Sequence, residues 1–73
     1  MPITEIVRIL ATATGPGGIE VGLLYDVDGR MDADEATLGF PCFWLRVEGR
    51  SEGPFEHEGE AVEAAWERYG ARF

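Results

Sequence analysis

The chain has 73 residues, fourteen acids against six bases, and a formal net charge of −8. A chain of that length makes a single small domain over residues 1–73, burying roughly 60% of its unfolded surface, and 45% apolar residues is too many for a disordered segment. The charge argues against direct binding of DNA, RNA or an anionic membrane, each of which would be approached through repulsion, and it permits a basic protein partner.

Residues 3–14 carry two competing patterns. Ile3, Ile6, Val7 and Leu10 fit a helical stripe. Ile3, Thr4, Ile6, Val7, Ile9, Thr12 and Thr14 are β-branched, which favours a strand, and a strand is the reading taken. Its inward set would be Ile3, Val7, Ile9 and Ala11. Gly15-Pro16-Gly17-Gly18 is a turn. Ile19, Val21, Leu23, Tyr25 and Val27 then alternate with Glu20, Gly22, Leu24, Asp26 and Asp28, a strand that closes an antiparallel hairpin.

Asp28-Gly29 ends that strand with turn chemistry, and residues 30–37 are a polar, acidic loop or at most one helical turn. A third strand is expected over residues 38–48. Its side chains alternate, so Phe43, Leu45 and Val47 face a core while Phe40, Cys42, Trp44 and Arg46 face the other way. Residues 49–54 read as a flexible corner.

The final segment is helical. Val62, Trp66, Tyr69 and Phe73 recur at helical spacing, with Ala61 and Ala65 widening that face. Glu58 and Glu60 suit the positive end of the helix dipole, Arg68 and Arg72 the other end, and Gly70 a C-cap. His57 stands where a Ser, Thr or Asp cap is usual, with Glu60 three residues on, an imperfect capping box. The expected fold is therefore α+β: a three-stranded antiparallel sheet with one C-terminal helix on one face, β-β-β-α. The expected core is Val7, Ile9, Val21, Leu23, Tyr25, Phe43, Leu45, Val47, Phe55, Val62, Trp66 and Tyr69.

No catalytic signature emerges. His57 lies in a glutamate-rich turn and Cys42 inside an apolar strand, so neither has the partners that acid–base or nucleophilic chemistry needs. A single cysteine offers neither an internal disulfide nor a zinc spacing. Asp26 and Asp28 begin like a calcium loop, but Arg30 occupies a ligand position and Met31 replaces the glycine. No catalytic residue, metal or cofactor is expected, nor a signal peptide or membrane span, and the expected compartment is cytoplasmic.

Two surfaces remain as candidates for binding. Glu56, Glu60, Glu63 and Glu67 form an acidic row at helical spacing, extended by Asp26, Asp28, Asp32, Asp34 and Glu35. A solvated polar face would explain both groups, and a basic groove that accepts them in place of a phosphate backbone is the sharper alternative. The second candidate is the sheet face away from the helix, where Leu24, Phe40, Trp44 and Arg46 would form an apolar interface.

The run Arg46-Val47-Glu48-Gly49, then Gly53-Pro54-Phe55, then Glu60-Ala61, Ala64-Ala65 and Tyr69-Gly70, resembles the strand–Gly-Pro-Phe–helix ending of small phage and prophage-encoded proteins of the β-β-β-α kind. It covers about the last third of the chain. Its residues are packing residues: Gly-Pro for the corner, Phe for the junction of sheet and helix, alanines for close approach. His57 departs from the usual Ser or Thr before the helix. The resemblance implies a small accessory or inhibitor protein of a bacterial or phage-infected cell and carries over no active site. Acidic inhibitors of host nucleic-acid-binding complexes, such as anti-CRISPR proteins, are similar in size and charge. The expected function is thus a non-enzymatic acidic module that occupies a basic, nucleic-acid-binding surface of a host complex. The alternative is a structural homodimer sealed through the apolar sheet face.

Overall fold

The computed structural model describes residues 7–31 and 39–73. Among them, four strands form one antiparallel sheet in the order β1-β2-β3-β4, followed by one helix. The strands are β1 (Val7–Thr14), β2 (Glu20–Asp26), β3 (Cys42–Val47) and β4 (Arg50–Phe55), and the helix is α1 (Glu58–Tyr69). The α+β class and the C-terminal helix agree with the sequence reading. The strand count does not, because the segment read as a flexible corner is β4.

The reason lies in the turn. Val47 pairs with Arg50, so Glu48 and Gly49 are the whole connection between β3 and β4. Both have positive φ, 49° and 81°, the backbone of the two-residue hairpin turn whose twist suits flanking strands. Asn-Gly or Asp-Gly is the usual signal for that turn, and Glu48-Gly49 lacks it. β4 is also poor in apolar residues, and its burial pattern is mostly exposed. Glu52 fastens it to the helix: Arg68 Nη1 donates to Glu52 Oε1 at 2.6 Å, and the Tyr69 hydroxyl donates to the other carboxylate oxygen.

β2 and β3 form the unbroken centre, with Val21 opposite Val47, Leu23 opposite Leu45 and Tyr25 opposite Phe43. These residues point toward α1, which packs on β2, β3 and β4. Val21, Leu23, Leu45 and Val47 are at most 1% exposed, and Ala61, Ala64, Ala65 and Ala71 complete that core. Alanines face the sheet, so the helix axis lies close to the large aliphatic side chains below it. Of the expected stripe, Val62, Trp66 and Tyr69 lie roughly 100° around the helix from the alanines, at ~100° per residue, Val62 and Tyr69 packing at the edge of the core, while Phe73 lies beyond the end of α1. Trp66, expected in the core, is therefore half exposed and stacks under the Arg72 guanidinium, 4.4 Å from the ring centre.

Ile9, also expected in the core, is 69% exposed. The β1–β2 register shifts between Ile9 and Ala11. The extra residue puts Ile9 opposite Leu24, on the side away from the helix, while Ala11 is opposite Leu23 on the helix side. A one-residue offset flips every side chain beyond it to the other face. The turn over Pro16–Gly18 docks on the C-terminal end of α1, where a Cβ on Gly15 would meet the Tyr69 carbonyl oxygen at 2.2 Å and one on Gly70 the Pro16 ring at 2.8 Å. Gly70 also takes the left-handed cap conformation, φ 66°, and its N–H donates to the Trp66 carbonyl.

Candidate protein-binding surface

Glu56, Glu60, Glu63 and Glu67 come together. All four are exposed and line one open groove of about 430 Å³, with Pro54 and Phe55 from β4 and Ala64 and Arg68 from α1 forming the rest of it. Glu56 precedes the helix, next to the N-cap His57, and the other three are on α1. Glu60 accepts a hydrogen bond from the His57 backbone N–H at 3.1 Å, one half of the capping box that the sequence suggested.

The charge of the groove is largely uncompensated. Among the described residues Arg68 pairs with Glu52 on β4, and His57 Nε2 stands 3.4 Å from Glu56, an ion pair only when the imidazole is protonated. The cation at the groove wall is thus engaged by Glu52, its guanidinium also standing 6.0 Å from the Phe55 ring centre. Glu63 and Glu67 have no cation within ion-pair distance among the described residues. Neighbouring carboxylates three and four residues apart repel by roughly 0.2–0.5 kcal/mol per pair. An incoming cation would relieve that repulsion.

The second half of the acidic expectation needs correction. Asp26 is fully buried and is a structural residue. Its Oδ1 accepts the Arg30 N–H at 2.9 Å and its Oδ2 the Met31 N–H at 2.7 Å, while the Gly29 N–H donates to the Asp26 carbonyl at 3.3 Å. The carboxylate therefore staples the turn that ends β2. These bonds reach four and five residues on, beyond the two-residue reach of an ordinary Asx turn, so no local pattern announced them. Asp28 is exposed beside that turn. Asp32, Asp34 and Glu35 lie outside the described residues.

The apolar interface expected on the far sheet face is also altered. Leu24 is 2% and Trp44 7% exposed, so both are covered within the chain. They form a second small core with Cys42, flanked by Val7 and Met31. Phe40 and Arg46 are exposed, as an interface would need. Among the described residues, Val7 of β1 and Met31, which follows the turn after Asp26, pack against that second core, tertiary contacts that no periodicity announces.

Within this second core the Cys42 thiol donates to Asp26 Oδ2 at 3.9 Å. Burial pushes the thiol above its ordinary pKa; the Asp26 carboxylate adds to that, and the nearby Trp44 indole partly opposes it. The indole N–H itself reaches no hydrogen-bond partner among the described residues. Such a thiol is protonated, shielded and a poor nucleophile. Among the described residues no group of three or more His, Cys, Asp or Glu is placed to hold a metal ion.

The chain matches no family model, no curated protein and no solved structure.

Proposed function

We propose that the chain is a non-enzymatic, acidic protein-binding module that seats the groove of Glu56, Glu60, Glu63 and Glu67 on a basic protein surface. The observation that carries this reading is that, among the described residues, Glu63 and Glu67 have no ion-pair partner while Arg68, the arginine lining the groove, is committed to Glu52. A row of carboxylates along a rigid helix presents charge at intervals of about 5–6 Å, a spacing that a partner's Lys and Arg side chains can meet. A surface that ordinarily holds a nucleic-acid backbone has that chemistry, so the function is inhibition by occupying it, in the manner of phage-type inhibitors such as anti-CRISPR proteins. Phe55 and Pro54 add an apolar floor that a purely solvated acidic face would not have.

The test is competition. Nucleic-acid-binding proteins captured from a host lysate are loaded with labelled DNA or RNA and titrated with the chain. The chain should displace the nucleic acid, and raising salt from about 0.1 to 0.5 M should weaken its binding at least tenfold, because contacts between exposed charges are screened. Changing Glu60, Glu63 and Glu67 to Gln together should have a similar effect at low salt, with the helix intact by circular dichroism. Affinity unchanged by both treatments would reject charge mimicry.

A further inference from the structure

The two edges of the sheet are built differently. β4 closes its edge with Gly53 at φ 143°, Pro54, which has no N–H to offer, and a register shift against β3 between Phe43 and Leu45. β1 has one such device, the register shift at Leu10. Its sequence Val-Arg-Ile-Leu-Ala-Thr-Ala-Thr contains no proline, no glycine and no carboxylate, in a chain with fourteen acids. Among the described residues β1 pairs with β2 alone. Ile9 and Leu10 on it are 69% and 43% exposed.

We infer that β1 is the seam of a weak homodimer, in which it pairs antiparallel with β1 of a second copy to give one continuous eight-stranded sheet. The occupant is a second copy because of charge and closure. Arg8 is the only charged residue of the strand, and antiparallel pairing carries the two Arg8 side chains to opposite ends, so no like charges meet. The strand is free of acids, so two chains of net charge −8 can approach there without opposed carboxylates across the seam. The pairing uses the same edge of both copies about a two-fold axis, and the outer β4 edges are blocked, so assembly stops at two. The register shift at Leu10 divides the seam into two short runs. A seam of eight residues a side falls at the small end of specific interfaces, so dissociation is expected at micromolar concentration or above. This inference is independent of the acidic groove, which lies on α1 and the opposite edge of the sheet.

Salt separates the two. Partner binding through glutamates weakens as salt rises, whereas dimerisation of two like-charged copies strengthens. Sedimentation of the purified chain from about 1 to 200 µM, at about 0.05 and 0.5 M salt, should show a monomer–dimer equilibrium that tightens severalfold at the higher salt. Hydrogen exchange on the unmodified protein should show the β1 amides gaining protection as concentration rises, with β4 unchanged. Ile9→Lys adds an exposed charge to the seam at a position that costs the protomer little, and should abolish the dimer. A monomer throughout this range, a dimer unaffected by Ile9→Lys, or concentration-dependent protection confined to α1 would overturn the inference.

Discussion

The two faces of this sheet are packed on opposite plans. Against α1, Val21, Leu23, Leu45 and Val47 meet alanines in a core with no polar side chain among its buried members. On the far face, Leu24, Cys42 and Trp44 lie beside a buried carboxylate, and Met31, one of the described residues packed against them, is held by that carboxylate's hydrogen bonds. The first face is stabilised by area removed from water, which any well-fitting apolar set supplies. The second depends on a few directional bonds that must all be made, because a buried polar group left without its partner costs more than a typical made bond contributes. The difference teaches where the chain is tolerant: substitution on the helix side should cost in proportion to volume, and on the far side in proportion to lost acceptors.

The largest effect expected from this contrast is on the helix side. Leu45→Ala removes a fully buried side chain at the centre of β3 and should destabilise the fold by about 2–5 kcal/mol in denaturant titrations. A loss below about 1 kcal/mol would mean that the alanine face of α1 collapses into the space, and that this core is less closely packed than the burial implies. Next comes Asp26→Ala, which leaves the Arg30 and Met31 N–H groups without their acceptor and should cost about 1–3 kcal/mol. Asp26→Asn keeps one acceptor oxygen and should cost less. If Ala and Asn were equally mild, the turn would be held by Met31 packing, and the two faces would be more alike than their hydrogen bonds suggest.

The smallest effect is a pH dependence confined to the far face. The Cys42 thiol is raised by burial and by Asp26, so the unfolded chain loses that proton at lower pH than the folded one. Fewer protons bound in the unfolded state means that stability falls as pH rises, beginning near the ordinary thiol range of about 8.5 and ending at the folded-state value. Stability–pH curves of the parent chain and Cys42→Ala should therefore converge as pH rises from about 8 to 10. Parallel curves would place the thiol outside the reach of both burial and the carboxylate.

Much of this arrangement was legible residue by residue. Alternation in Val21, Leu23 and Tyr25, and in Phe43, Leu45 and Val47, gave both central strands and the correct inward faces, because a side-chain period of two leaves few alternatives. Gly70 and Glu60 marked the ends of α1 by local chemistry. The acidic row was visible for the same reason, since helix spacing alone brings Glu60, Glu63 and Glu67 to one side. The antiparallel pairing of β1 with β2 also held, and the readings that failed were ones that turned on which surfaces meet. Trp66 belongs to an apolar stripe, yet only contact with the sheet chooses which stripe turns inward, and the alanines won because they permit the closest approach.

Composition and periodicity, then, determined the α+β class, the central hairpin strands, the helix with its caps and the excess of negative charge, because each depends on neighbours within a few residues. Tertiary structure decided the fourth strand, the flip of Ile9, the exposure of Trp66, the burial of Asp26 and the cover over Trp44. Those depend on pairing across the sheet and on which surfaces fit most closely, and a linear pattern carries no record of either until the chain has closed on itself.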